Sequence, residues 1–150
     1  MNIDWEIFYG DVGIRTKLTY ARIPDIAIVE GAVWRSLGNR SSAVLETPMI
    51  LVIEVVSPGE ESRERDYLKK KIEYQDMQIP EYWIIDPQLA QISILTLISN
   101  VDTQDGDRYD EKVYRGEDLI LSRTFPQLKL SVAQILGCDR NFVYRASETA

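Results

Sequence analysis

Two acidic residues stand where a folded chain rarely places a bare charge. Glu54 lies inside Met49-Ile50-Leu51-Val52-Ile53-Glu54-Val55-Val56, a continuous apolar run closed by Ser57-Pro58-Gly59, and Asp25 follows Pro24 at the head of Ile26-Ala27-Ile28-Val29. An ionised carboxylate buried alone costs roughly several kcal/mol, so a Glu in such a run is paired, protonated or bound to a metal. Adjacent strands carrying Asp25 and Glu54 would offer a hard cation such as magnesium the oxygen ligands it prefers, with a backbone carbonyl and waters completing the shell. A lysine from a packed helix would then steady a water nucleophile or the charge building up on a phosphate. Two carboxylates and one lysine are the minimal kit for metal-assisted phosphodiester hydrolysis.

Composition narrows the alternatives. The 150 residues contain no histidine, which removes Ser-His, Cys-His and His-ligated zinc chemistry together, so any metal must be held by oxygen. A single cysteine, Cys138, rules out an internal disulfide and fits a reducing cytoplasm. A formal net charge of -7 argues against binding nucleic acid by overall charge, while leaving room for a local basic patch or a bridging cation. Hydrophobic content of 45% with 27% charged residues is that of a soluble globular chain, with no apolar run near the ~18 residues of a membrane span and no signal-peptide pattern. The length suits one domain, read as residues 1–137, with 138–150 as a tail.

The elements that must position these groups can be read in order. Trp5 to Tyr9 reads as a short strand before a Gly-rich turn, Ile23 to Glu30 as a strand opened by Pro24, and Trp34 to Thr47, rich in Ser, Gly and Asn, as a loop. The run at 49–56 has the continuous apolar pattern of an interior strand covered on both faces. Glu60 to Met77 is expected as a helix with Ser62 as its N-cap. Projected at about 100° per residue, it places Tyr67, Tyr74, Leu68, Ile72 and Met77 on one broad arc, with Lys71 inside it and Lys70 near its edge. Glu81 to Asp86 reads as an apolar strand closed by Pro87, and Gln91 to Ile98 as its hairpin partner. Asn100 to Asp110 reads as a polar loop, Val113 to Ile120 as two short strands about Gly116, and Val132 to Leu136 as a short helix capped by Ser131, with Gly137 onward fraying. Strands alternating with one long helix describe an α/β fold with a mixed sheet.

As a set, Pro24-Asp25, Glu54-Val55-Val56-Ser57-Pro58, Asp66 with Lys70 and Tyr74, and Glu81-Tyr82-Trp83-Ile84-Ile85-Asp86-Pro87 resemble the Uma2 family, abundant in cyanobacteria and placed in the PD-(D/E)XK, restriction-endonuclease-like superfamily. The resemblance runs from about Arg22 to about Leu136. It implies a mixed sheet of restriction-endonuclease-like type with one long helix packed on it. It also implies an endonuclease that hydrolyses phosphodiesters in DNA with Mg2+ or Mn2+. Asp25 matches the Asp of the "PD" element and Glu54 the acid of "(D/E)XK"; both would bind metal, with the Val55 carbonyl as a third ligand. The superfamily lysine stands two residues after that acid, where this chain has Val56, and in the Uma2 pattern it moves to the next helix, matching Lys70. The resemblance also implies a first helix, often bearing acidic and His residues, ahead of the strand that leads to Pro24-Asp25; this sequence begins almost at that strand, so either its start is truncated or misassigned or the element has been lost.

Plainer readings stand beside these. Asp25 suits a turn after proline, Glu54 a salt-bridged strand residue, and Lys69, Lys70 and Lys71 a solvated helix face. Tyr67 and Tyr74 are expected to pack at the core edge and Glu81 and Asp86 to make local hydrogen bonds; Arg63 and Arg65 are placed to meet phosphate but, mixed with Glu60, Glu61 and Glu64, are expected to form solvated ion pairs. The rival to a nuclease is a truncated, catalytically inactive descendant serving as a binding or dimerisation module, and a homodimer fits either reading.

Overall fold

A computed structural model describes residues 3–38, 44–99 and 106–141. Its main sheet has six strands in the order β1-β4-β6-β7-β8-β9: Trp5–Phe8, Ile26–Glu30, Leu51–Val55, Glu81–Asp86, Gln91–Ile98 and Arg108–Arg115. A smaller sheet joins β3 (Tyr20–Arg22), β2 (Gly13–Lys17) and β5 (Val44–Leu45). In the main sheet only β6 and β7 run parallel. Parallel neighbours need a crossover, and the long helix supplies it. It is built as α2 (Glu60–Glu64), a wide π turn (Arg65–Lys69) and α3 (Lys70–Asp76).

Strand alternation sends side chains to two separate cores. Val52, Val56, Tyr82, Ile84 and Ala27 join Tyr74 of α3 on the helix side. Leu51, Trp83, Ile92 and Tyr114 meet Ile120 and Val132, at the head of α4 (Val132–Asn141), on the other. Glu54 falls between Val52 and Val56 on the helix side and is 2% exposed. Coverage of β6 is incomplete, because Val55 on the opposite face is 41% exposed. No helix among the described residues is long and apolar enough to cross a membrane.

Several expectations need correction. Part of the loop expected over Trp34 to Thr47 is regular structure: α1 (Gly31–Ser36) takes in 34–36 and β5 44–45, while 39–43 lie outside the described residues. Six residues are too few to hold a helix alone. Its support is tertiary, with Trp34 against the Phe8 ring at 4.3 Å and Arg35 bonded to Asp4. The long helix is capped by Gly59, at φ 111°, rather than by Ser62. Strand β9 is one eight-residue edge strand instead of the end of a loop and two short strands; it pairs along the whole length of β8 and buries Tyr109 in one core and Tyr114 in the other. Helix α4 extends to Asn141, and Ser131 caps it as expected, its Oγ accepting from the Gln134 N–H while Gln134 Oε1 accepts from the Ser131 N–H.

Candidate active site

Pro24 sets the site's geometry from the backbone. The antiparallel ladder between β4 and β6 ends at Ile26 opposite Ile53, and that register continued would set Pro24 opposite Val55. Proline has no N–H to give, so the ladder cannot go on. The Val55 N–H turns instead to Asp25 Oδ2 at 2.7 Å, which ties the Asp25 carboxylate to the strand carrying Glu54. The Val55 carbonyl receives no ladder bond from Pro24, and Asp25 Oδ1 has no donor among the described residues. Both are oxygens left for a ligand.

Glu54 is held from the helix. Its Oε2 lies 2.8 Å from Lys70 Nζ, and its Oε1 accepts from the Tyr74 hydroxyl at 2.6 Å. Lys70 also lies 3.0 Å from Asp66 Oδ1, one turn back. Burial pushes the Glu54 carboxyl above its ordinary value; the charge and hydrogen bond of Lys70 and the Tyr74 bond pull it down, and the Asp25 charge adds to the rise. Burial, reinforced by the Glu54 charge, pushes the Tyr74 hydroxyl far up, so it stays a donor. Tyr82, edge-on to Tyr74 with centroids 5.0 Å apart, donates to the Asp66 carbonyl at 2.8 Å and closes the floor.

The wide turn aligns these helix residues. In a regular α-helix a position four residues on drifts by roughly 40° around the axis. A π turn under-rotates instead, so the one over Arg65–Lys69 offsets the drift that would build up by Tyr74, and Asp66, Lys70 and Tyr74 all face the sheet and are buried. Such wide turns are rare and gather at functional sites. Lys71, favoured by periodicity, points away and pairs with Glu111 of β9 at 2.9 Å. Leu68 and Ile72, expected on the inner arc, are 58% and 61% exposed. The inner face is polar, and an apolar pattern cannot find it.

Asp25, Glu54, Val55 and Lys70 line one open cleft of about 410 Å³, together with Tyr20, Arg22, Ser57 and Arg65. Every expected site residue is therefore gathered in one place. Sequence reasoning placed Asp66 and Tyr74 in the motif with Lys70 but gave them no role at the site, set Arg65 aside as an ion pair, and missed Arg22. Arg22 is bonded to Glu73, and Arg65 to Asp66, from side chains half-buried or better rather than in the solvated pairs expected for Arg65. Asp86 takes the local N–H groups of Gln88 and Leu89 as expected, and adds the Tyr67 hydroxyl. Glu81 differs: besides the Trp83 indole N–H it accepts from Ser122 and twice from Thr124, tying the C-terminal segment to β7.

A sequence profile described as "Uma2: Putative restriction endonuclease" matches residues 2–133. The chain belongs to the Uma2 family. Its fold is similar to that of a solved structure described as "a putative nuclease belonging to DUF820 from Anabaena variabilis", with a TM-score of 0.62 at 14% identity, over 90% of this chain and 69% of that one. No curated protein matches the sequence. The mixed sheet with one main helix is thus a nuclease-like fold, and the Uma2 residues expected from the motifs meet in its cleft.

The donor set can be tested against a metal. Among the described residues no three His, Cys, Asp or Glu side chains cluster as a ready cage. Two carboxylates and a strand carbonyl remain, an all-oxygen set. That set fits magnesium or manganese, which keep waters and share phosphate oxygens, better than metals that favour nitrogen or sulfur.

Proposed function

We propose that this Uma2 protein is a magnesium- or manganese-dependent endonuclease that hydrolyses phosphodiesters in DNA. The observation that carries this is the joining of Asp25 to the Glu54 strand through Val55, with Lys70 held beside Glu54 at the floor of an open cleft. Asp25, Glu54 and the Val55 carbonyl would hold the cation. When bound, it would polarise the phosphate and lower the pKa of a coordinated water.

The chain's own residues do the rest. Asp66 and Glu54 hold the Lys70 ammonium at the cleft floor, where it lowers the cost of charge gathering on the phosphate oxygens. Tyr74 fixes the Glu54 carboxylate, leaving Oε2 toward Lys70. Burial raises the Glu54 pKa, and metal binding needs the carboxylate, so binding weakens on acidification.

The test is relaxation of supercoiled plasmid by purified protein. Nicking is expected with magnesium or manganese, none in EDTA, and loss in Glu54→Gln and Asp25→Asn. No nicking with either metal, or unchanged nicking by Glu54→Gln, would overturn the proposal and favour the inactive binding module.

A further inference from the structure

Two arginines in the cleft share one construction. Arg22, on β3, gives its Nε to Glu73 Oε2 at 2.7 Å and its Nη2 to Glu73 Oε1 at 3.0 Å. Arg65, in the wide turn, gives its Nε to Asp66 Oδ1 at 3.0 Å and its Nη2 to Asp66 Oδ2 at 3.3 Å. In each case a carboxylate holds one edge of the guanidinium by a two-point fork. Glu73 and Asp66 are both buried, and Thr16 adds a hydroxyl to Glu73 at 3.1 Å. The Arg22 guanidinium also lies over the Tyr20 ring, 4.6 Å from its centre.

The other edge is what matters. Neither Arg22 Nη1 nor Arg65 Nη1 has an acceptor among the described residues, and both side chains line the cleft with Asp25, Glu54 and Lys70. Both guanidiniums border the same open space, so an anion entering the cleft meets the two together. A pair of like charges, each fixed by an anchor behind it, gains most from an anion placed between them. Held forks lose little rotamer freedom on meeting it.

We propose that Arg22 and Arg65 form a phosphate clamp that seats the DNA backbone beside Asp25 and Glu54, with Glu73 and Asp66 as the residues that position them. This rests on the nuclease reading.

The experiment is binding of a fluorescein-labelled DNA duplex, followed by anisotropy across a salt series, with calcium replacing magnesium and the duplex checked for integrity afterwards. Each phosphate-bound cation contributes roughly one unit to the slope of log K against log salt. Arg22→Gln and Arg65→Gln are each expected to lower the slope by about one and together by about two. Lys129→Gln, at an exposed position that does not line the cleft, should leave it unchanged. Because Arg22→Gln strands Glu73, the paired variant Arg22→Gln/Glu73→Gln removes the ion pair as a unit and keeps the net charge. It should lose the same unit of slope. Unchanged slopes in the arginine variants, or no binding of duplex by the wild type, would overturn the clamp. Plasmid nicking by the wild type decides the nuclease reading separately: nicking with unchanged slopes refutes the clamp alone.

Discussion

Removing one buried oxygen isolates the carboxylate at the centre of the site. Tyr74→Phe deletes the hydroxyl that donates to Glu54 Oε1 at 2.6 Å and leaves a ring of nearly the same shape against Tyr82. A hydrogen bond to a charged acceptor contributes about 1.5–3 kcal/mol and a neutral one about 0.5–1.5. The variant should therefore lose about 2 kcal/mol where Glu54 is ionised and about 1 kcal/mol where it is protonated. The difference corresponds to a further rise of about one unit in the Glu54 pKa. Urea unfolding in EDTA, repeated from about pH 5 to about pH 8, reads this directly. Tyr109→Phe is the control, since that hydroxyl donates to the neutral Ile79 carbonyl at 2.8 Å and its loss should cost about 1 kcal/mol at every pH. If the two variants give the same pH-independent loss, Glu54 is not the group that Tyr74 stabilises, and the reasoning fails.

Other outcomes follow from the same contacts. Lys70→Met leaves Glu54 and Asp66 as buried carboxylates without their ammonium and should cost about 3–5 kcal/mol near neutral pH, recovering on acidification, whereas Lys71→Met should cost below about 1 kcal/mol in the same urea assay. The folded-state pKa of Glu54 is raised above 4.5, so its contribution to stability is full below that value and is lost as pH rises through the folded one. Glu73, lowered by the Arg22 hydrogen bonds, has the opposite sign: its contribution is present above 4.5 and is lost as pH falls through its folded value. Glu54→Gln should remove the first trend and leave the second, by pH-dependent unfolding without metal. Glu81→Gln, which disturbs four accepted hydrogen bonds far from Lys70, should lower stability by about 2–4 kcal/mol while nicking per folded molecule is retained.

What could be read from the sequence was the part governed by strand periodicity and by turn residues. The apolar runs gave β6, β7 and β8 nearly to the residue, and Pro24 marked where a strand had to begin. Asp25 and Glu54 were legible because acids inside or beside apolar strands violate the burial pattern. Lys70 was not legible from periodicity, because the helix buries Asp66, Lys70 and Glu73 and exposes Leu68 and Ile72, reversing the usual sign of the pattern. It came only through family resemblance. Arg22 and Glu73 meet across 51 residues of sequence, and nothing local in either segment announces the other. Edge strand β9 was read partly as loop and partly as a short strand because only Tyr109 and Tyr114 of its eight residues are buried, and the exposed residues between them hide the alternation. A short helix such as α1, held by tertiary contacts, leaves an equally weak trace.

Titration of Mn2+ into metal-free protein, by calorimetry, addresses the central claim most directly: that Asp25, Glu54 and the Val55 carbonyl form one metal site. The expected result is a single site per chain that Asp25→Asn abolishes, with affinity falling and proton release rising as pH is lowered through the raised Glu54 pKa. No binding by the wild type, binding unchanged in Asp25→Asn, or an affinity flat between about pH 5 and about pH 8 would contradict it.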